Sequence, residues 1–290
     1  MTLSKTLLIP IVTFLSCGPL HAQQQQKNVV YGEAHGTGLI MDIFTPDGAG
    51  NGLGIVDVIS GGWDAGRGKI RDHERSQVFK IMCARGYTVF AIRPGSLSRF
   101  SIPDMAAHLK TGIMWVKEHA GDYEVDANQL GLMGASAGGH LASLVAVTNG
   151  KSAADSGSDD ATVKAVAAFF PPTDFLTFGD AANPEAADRV RKIVTRGSDK
   201  QLSAEDLKAA LIAISPARLV TKDAPPFLLI HGTADQVVPQ EQSELLIAAL
   251  KEKDVEAKLI LKEGGGHPWF TIHEEVAVIA DYFDERLSKE

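Results

Sequence analysis

The sequence predicts an α/β fold with a mainly parallel sheet. Strand-like and helix-like segments alternate from residue 30 onward, which is typical of parallel strands connected by helices on both faces of a sheet. The chain has 290 residues, of which 44% are hydrophobic and 22% are charged. This length and this ordinary globular composition are sufficient for one large domain with a substantial core.

Eight segments have the apolar content of strands. The first two, Val29–Tyr31 and Leu39–Phe44, are predicted to form an antiparallel pair ending at Pro46. The other strands are predicted at Leu53–Ile59, Thr88–Ile92, Gln129–Met133, Val163–Phe170, Phe227–Ile230 and Ala257–Leu261. Helices are predicted directly after residue 136 and at Ser76–Arg85, Pro103–His119, Gln240–Lys251 and Ile272–Leu287. The stretch after the third strand is rich in glycine and charge, and we expect a loop there.

One long segment, 171–223, does not continue the alternation of strands and helices. It contains two candidate helices, and Ser203-Ala204-Glu205-Asp206 is an acceptable capping box for the second. Ligands of open α/β sheets bind beyond the carboxyl ends of the strands, where this segment begins. We therefore expect a short cap or lid within a single domain that spans residues 28–288.

The first 22 residues have the features of a signal peptide. An apolar run at 6–16 follows Lys5 and is too short to cross a bilayer in the usual way. Cleavage is expected after Ala22, which predicts an exported protein, periplasmic or secreted, with no stable membrane insertion after cleavage. The alternative is a lipid anchor at Cys17, because residues 15–17 (LSC) resemble a lipoprotein cleavage box.

Charge and cysteine content exclude several classes of function. The net charge is −8 and the isoelectric point is about 5.6, so a basic surface for nucleic acid is not expected. Cys83 lies in the apolar phase of a helix and is predicted to be a buried structural thiol. The nine histidines show no metal-ligand spacing, and neither a metal nor another cofactor is expected.

The motif at 134–138 (GASAG) points to nucleophilic chemistry. An apolar strand precedes Ser136 and an apolar-faced helix follows it, which predicts a sharp, strained turn that exposes the serine hydroxyl. Side chains at Gly134 and Gly138 would collide with neighbouring elements. The adjacent helix N-terminus carries partial positive charge and favours a developing anion.

A serine hydroxyl needs a base, and that base needs an acid to orient it. Asp235 lies directly beyond the strand FLLI, and His267 lies directly beyond the strand KLIL. Both positions are carboxyl ends of strands, where side chains can meet Ser136. The alternatives are that Asp235 only caps the next helix, that His267 is an ordinary loop histidine, and that Asp174 is the acid instead.

Three motifs resemble those of the α/β-hydrolase superfamily: GASAGGHLA (134–142), APPFLLIHGTADQVVP (224–239) and GGGHPWF (264–270). The similarity covers about residues 28–288 and is to small esterases of the hormone-sensitive-lipase-like and feruloyl or acetyl xylan esterase-like (BD-FAE-type) branch. The resemblance implies an α/β-hydrolase fold with an eight-stranded sheet and a short cap. It also implies Ser136 as nucleophile, His267 as general base and acid, and Asp235 as the residue orienting His267.

The oxyanion hole is expected at the backbone N–H of Ala137 and in the loop after the third strand. The family usually has His-Gly-Gly-Gly and an aromatic residue in that loop. Here Gly61 and Gly62 match, whereas Ile59 and Ser60 replace the histidine and the first glycine. Backbone donors need only a permissive conformation, so Gly61 and Gly62 remain the expected donors. The alternative is a plain Gly-Gly turn.

Three further residues are assigned on the same basis. Trp63 is expected to line the acyl pocket, with core packing as the alternative. His140 is expected to be packed or hydrogen-bonded and not to act as a base. His108 stands where related esterases often carry an aspartate, and no catalytic role is inferred for it.

The predicted function is that of a serine hydrolase that cleaves carboxylic esters through a covalent acyl-enzyme. Acyl groups on carbohydrates or small-molecule esters are the expected substrates, although fold does not determine substrate. One alternative is a prolyl-oligopeptidase-like serine peptidase, although the chain has no room for the large N-terminal domain of those enzymes. The other is a non-catalytic binding protein on a hydrolase fold.

Overall fold

The computed structural model describes residues 23–155, 160–178, 193–194 and 202–287. Within these ranges it contains one sheet of eight strands in the order β1-β2-β4-β3-β5-β6-β7-β8. The strands are β1 Gln23–Ala34, β2 Thr37–Pro46, β3 Gly54–Val58, β4 Thr88–Arg93, β5 Leu130–Ala135, β6 Ala165–Phe169, β7 Phe227–Gly232 and β8 Ala257–Lys262. The predicted α/β class is confirmed. The predicted signal peptide at 1–22 lies outside the described residues.

The sheet is antiparallel at one edge and parallel elsewhere. β2 pairs antiparallel with both β1 and β4, and the six strands from β3 to β8 run parallel. β1 begins at Gln23, six residues before the predicted start at Val29. The glutamine tract extends the strand because its backbone pairs with β2 and because Gln25 Nε2 donates to the buried Asp42 at 3.0 Å.

Helices cover both faces of the sheet, as predicted. Helices Ile102–Glu118 and Ala137–Asp155 contribute to one apolar core, and helices Val78–Ala84 and Ile272–Leu287 contribute to a second core on the other face. The remaining described helices are Arg67–Arg75, Ala204–Ala213, Pro216–Leu219 and Glu241–Glu252, with a short 3-10 turn at Ala120–Tyr123.

The helix Arg67–Arg75 lies where the sequence predicted a loop. Its apolar signal is weak because Ile70 is its one buried residue, and the Gly66 N-cap supplies no side-chain cap. The helix is held by a tertiary contact, since Arg67 Nη1 lies 2.8 Å from a carboxylate oxygen of the fully buried Asp42. The hydrophobic periodicity of a nine-residue segment could not reveal this ion pair, because Asp42 lies in a strand and is 25 positions away from Arg67.

The predicted cap, 171–223, is described only in part, because 179–192 and 195–201 lie outside the described residues. The predicted capping serine is where the sequence places it: Ser203 Oγ accepts the backbone N–H of Asp206 at 3.0 Å and begins the helix Ala204–Ala213. A second short helix, Pro216–Leu219, returns the chain toward β7.

Candidate active site

Ser136 occupies a strained turn between β5 and the helix that begins at Ala137. Its φ is 53°, a left-handed conformation that is uncommon for residues other than glycine. A Cβ on Gly134 would lie 2.5 Å from the carbonyl carbon of Gly138, and a Cβ on Gly138 would lie 2.3 Å from the carbonyl oxygen of Val58. Both flanking positions therefore need glycine, as predicted.

The structure brings Ser136, Asp235 and His267 into one chain of hydrogen bonds. His267 Nδ1 lies 2.6 Å from Asp235 Oδ2, and His267 Nε2 lies 2.9 Å from Ser136 Oγ. A carboxylate can only accept, so Nδ1 carries the proton, and the neutral ring accepts the serine hydroxyl at Nε2. Ser136 and Asp235 are 131 and 32 positions away from His267 in the sequence. The three residues meet because β5, β7 and β8 all end at this edge of the sheet.

Asp235 is held as a carboxylate by its surroundings. Burial alone would raise its pKa, but hydrogen bonds from His231, His267 and the backbone of Val238 and Val237 hold the pKa of Asp235 well below its usual range. The two backbone N–H groups donate to Oδ1 at 3.0 and 2.8 Å, which leaves Oδ2 for His267. The acid is thus ionised at neutral pH, and its Oδ2 accepts the Nδ1–H at the edge of the imidazole ring.

His231 supports Asp235, a role that sequence reasoning missed. Its Nε2 lies 2.8 Å from the carbonyl of Val238 and 3.5 Å from Asp235 Oδ2, so Nε2 carries the ring proton. Its Nδ1 accepts the hydroxyl of Ser243 at 2.7 Å. The available signal was its position at the end of β7, four residues before Asp235.

The loop after β3 requires one correction to the expected oxyanion donors. The backbone N–H of Gly61 donates to the carbonyl of Asp64 at 2.9 Å, because these residues close a small bridged turn. Gly61 is therefore not a free donor. No described residue accepts the N–H of Gly62 or that of Ala137, and Gly62 has a φ of 60°. The free donors of this region include Gly62 and Ala137.

Trp63 and His140 form a buried pair behind the same loop. The indole N–H of Trp63 donates to His140 Nδ1 at 3.0 Å, so His140 Nε2 carries a proton and donates to the carbonyl of Ile214 at 2.8 Å. Burial lowers the pKa of His140 to about 4 despite the hydrogen bond to Ile214. His140 is a neutral structural partner, as predicted, and Trp63 both packs in the core and lines the active-site cavity.

Asp174 and His108 are engaged in structural contacts. Asp174 forms a two-pronged ion pair with Arg218, at 2.8 Å from Nε and 2.6 Å from Nη2. The imidazole of His267 is paired with Asp235 instead, so the alternative acid is not used in this structure. His108 is buried, and its Nδ1 donates to a backbone carbonyl at 2.8 Å.

Ser136 and His267 line a cavity of about 340 Å³. The apolar residues that line the cavity include Trp63, Phe170, Pro172, Phe178, Val237 and Ile272. The polar residues that line it include Ser60, Lys69, Asp72, His73 and Ser76. Sequence analysis missed three of these polar residues, at positions 69, 72 and 73, because they belong to the helix Arg67–Arg75 that was predicted to be a loop.

Three further features of the described residues bear on function. Cys83 is a buried free thiol, and burial raises its pKa to about 12, so it is a structural residue as predicted. Among residues 23–155, 160–178, 193–194 and 202–287, no cluster of three or more His, Cys, Asp or Glu side chains is placed to hold a metal ion. No helix in the same ranges is long and apolar enough to cross a membrane.

An eight-stranded, mainly parallel sheet with a serine, an aspartate and a histidine at the ends of β5, β7 and β8 defines the α/β-hydrolase fold. The chain belongs to the BD-FAE family, whose family model matches residues 41–250.

Relatives and solved structures agree with this assignment. The chain is 28% identical to the probable carboxylic ester hydrolase LipM of Mycobacterium tuberculosis, over 78% of this chain and 51% of the relative. It is 30% identical to the esterase LipC of the same organism, over 68% of this chain and 48% of the relative. The chain therefore spans about half the length of these relatives. A solved structure, a truncated form of a carbohydrate esterase from gut microbiota, matches with a TM-score of 0.78 at 26% identity, over 94% of this chain and 99% of that one.

Proposed function

We propose that this protein is a serine esterase that cleaves carboxylic esters through a covalent acyl-enzyme. The observation that carries the proposal is the unbroken hydrogen-bond chain from Ser136 Oγ through His267 to the buried carboxylate of Asp235, at 2.9 and 2.6 Å. This chain opens into a cavity large enough for a small ester.

The mechanism follows from the protonation states of the three residues. Ser136 Oγ attacks the ester carbonyl carbon while His267 Nε2 takes the hydroxyl proton. His267 then gives this proton to the departing alcohol, and the acyl group remains on Ser136. A water molecule, activated by the same nitrogen, hydrolyses the acyl-enzyme. Asp235 stabilises the imidazolium that forms in each half of the reaction and keeps the ring in one tautomer.

The tetrahedral intermediate needs donors for its negative oxygen. The backbone N–H groups of Gly62 and Ala137 have no acceptor among the described residues and belong to segments that line or adjoin the cavity. We assign the oxyanion hole to these two groups. Gly61 instead shapes the turn, because its own N–H is bonded to Asp64.

Small esters and acyl groups on carbohydrates are the proposed substrates. The cavity of about 340 Å³ is lined by apolar residues suited to an acyl chain and by polar residues suited to a more hydrophilic group. The similarity to a carbohydrate esterase over nearly the whole length of both chains supports the carbohydrate assignment. We propose a signal peptide at 1–22 and a periplasmic or secreted protein, with an anchor at Cys17 as the alternative.

One experiment tests the esterase proposal. The purified protein is incubated with a fluorophosphonate probe and, separately, with para-nitrophenyl esters of graded acyl length. Wild type and the control Ser98→Ala, which changes an exposed serine, should be labelled and active. Ser136→Ala should lose labelling and several orders of magnitude in turnover, and adding His267→Ala should lower the rate scarcely further because the residues act as one unit.

The same experiment addresses the two alternatives. A serine peptidase on this fold would also cleave para-nitroanilide peptides, whereas an esterase would leave them uncleaved. A non-catalytic binding protein would leave the probe unreacted and hydrolyse none of the esters. Retention of more than a tenth of the activity by Ser136→Ala would remove Ser136 as the nucleophile.

A further inference from the structure

Two basic side chains, Lys69 and His73, line the active-site cavity. We call this surface the cationic wall and define it by Ser60, Lys69 and His73, which all line the cavity with Ser136. The end of the Lys69 side chain lies against the loop, because a methyl group placed on Gly61 would be 3.0 Å from Lys69 Nζ. The ammonium group therefore lies beside the loop that contains Gly61 and Gly62.

His73 adds a second cationic group to the wall. Its Nδ1 lies 2.7 Å from a carboxylate oxygen of Asp57, whose side chain is fully buried in β3. Burial lowers the pKa of His73, but the attraction and hydrogen bond of Asp57 outweigh burial and leave this pKa above its usual value. No described residue pairs with His73 Nε2. In the imidazolium form Nε2–H is an unused donor on a ring that lines the cavity.

Ser60 supplies an unpaired hydroxyl at the same wall. Its relative exposure is 3%, and its Oγ has no hydrogen-bond partner among the described residues. Buried hydroxyl groups are normally hydrogen-bonded, and the Ser60 hydroxyl is available to pair with a group bound in the cavity. The family pattern has glycine here, and this chain has a donor in its place.

Two carboxylates, Asp57 and Asp72, lie beside the cations of the wall. Asp57 is paired with His73, and Asp72 lies between Lys69 at 3.7 Å and Arg75 at 3.0 Å. Asp72 lines the cavity as well, whereas Arg75 lies outside it. Because Lys69 and Arg75 both offset Asp72, Lys69 and His73 remain as charged donors that line the cavity.

We propose that the cationic wall binds a carboxylate carried by the ester substrate, with Lys69 and His73 as charged donors and Ser60 as a neutral one. Charge-assisted hydrogen bonds to a carboxylate are stronger than those to a neutral group. This inference rests on the proposed esterase function and narrows it to esters with an acidic group near the scissile bond. The acidic group can belong to the alcohol part or to the acyl part of the ester.

The test compares matched acidic and neutral substrates. For the alcohol part the pair is para-acetoxybenzoate and para-acetoxybenzamide. For the acyl part the pair is mono-para-nitrophenyl adipate and the corresponding terminal amide. In each pair the acid and the amide are similar in shape and differ in charge, and the readout is the ratio of the two kcat/KM values.

The variant that tests the wall is Lys69→Met, which removes the charge and keeps most of the apolar part of the side chain. Its control is Lys80→Met, which makes the same charge change at an exposed position outside the cavity. His73→Gln is less suitable, because it would leave the buried Asp57 carboxylate without its partner. Ser60→Ala is the second variant.

We expect wild type to prefer the acid in at least one pair, and Lys69→Met to lower that preference about tenfold. Ser60→Ala should lower it to a smaller extent, and Lys80→Met should preserve it. An equal fall for acid and amide in Lys69→Met, or no preference in either pair, would overturn the inference while ester hydrolysis and fluorophosphonate labelling still support the proposed function. A wild-type protein that neither reacts with the probe nor hydrolyses an ester would overturn both.

Discussion

Gly232 and Gly265 pack backbone against backbone where β7 and β8 end. A Cβ on Gly232 would lie only 2.2 Å from the carbonyl oxygen of Gly265. That same carbonyl accepts the backbone N–H of Ala234 at 2.9 Å. This close approach seats the loop of Asp235 against the loop of His267, so the geometry of the acid–base pair depends on two residues that have no side chains.

The first prediction concerns this contact. Gly232→Ala would force the two loops apart, because the obstructing atoms are backbone and cannot rotate away. We expect a loss of about 1–3 kcal/mol in the free energy of unfolding and at least a tenfold fall in kcat at permissive temperature. Urea unfolding and ester hydrolysis measure the two effects. The control is Gly48→Ala, where the added methyl group meets nothing within 4 Å. An unchanged kcat in Gly232→Ala would show that the contact between Gly232 and Gly265 does not position Asp235 and His267.

The second prediction concerns the oxyanion loop. A Cβ on Gly62 has open space around it, but its φ of 60° is strongly disfavoured for a β-branched residue. Gly62→Val should shift the loop and misplace the Gly62 N–H, which lowers kcat about a hundredfold to a thousandfold, the typical effect of losing one oxyanion donor. KM should change little. Ser60→Gly, which restores the usual family residue, should have only a mild effect on kcat for neutral esters.

A matched control separates strain from catalysis. Gly36 has a φ of 68° and equally open surroundings, but it lies in the hairpin between β1 and β2. Gly36→Val should therefore cost similar stability and leave kcat near the wild-type value. If Gly62→Val retains wild-type kcat in the folded protein, the second donor must come from another group.

The third prediction concerns the shape of the acyl pocket. Trp63→Ala would enlarge the cavity and should shift the preferred acyl length upward among para-nitrophenyl esters, while hydrolysis continues. Truncating a buried tryptophan typically costs about 3–5 kcal/mol of stability, so the assays need a temperature at which the variant is folded. Trp63→Phe should change the preference less, because a ring remains beside Phe175. An identical acyl-length profile in all three proteins would place Trp63 outside the pocket.

The fourth prediction concerns the dependence of stability on pH. The folded-state pKa of His140 is about 4 because the ring is buried, whereas an unfolded histidine has a pKa of about 6.5. Below about pH 6.5 the unfolded chain therefore binds a proton that the folded chain does not, so stability falls as the pH falls toward 4. At pH 4 this one group accounts for a loss of about 3 kcal/mol relative to neutral pH.

Removing the ionisable group should remove this loss. His140→Asn should be less stable than wild type at pH 7.5, because Trp63 and Ile214 lose hydrogen-bond partners, but its free energy of unfolding should fall less between pH 7 and pH 4. Denaturant titrations at several pH values measure the difference. His35→Asn changes an exposed histidine and should follow the wild-type profile. If the free energy of unfolding of His140→Asn falls with pH in parallel with that of wild type, His140 is not buried in a neutral state.

The sequence alone determined the fold class and the principal residues of the site. Alternating apolar segments predicted eight strands and helices on both faces, because burial on a parallel sheet produces continuous apolar runs that are visible locally. The residues at strand ends were predictable for a related reason. In a parallel sheet, residues that follow different strands meet at one edge, which brought Asp235 and His267 to Ser136.

Only the tertiary structure decided which of several equivalent groups take part. Asp174 also follows a strand, but Arg218 holds it, so Asp235 is the partner of His267. Gly61 and Gly62 are identical in sequence terms, yet a bond to Asp64 engages the first and leaves the second free. The helix Arg67–Arg75, which carries Lys69 and His73 of the cationic wall, was not predicted, because an ion pair to buried Asp42 holds that helix. Contacts between residues distant in sequence leave no local periodicity, and they determine the chemistry of this cavity.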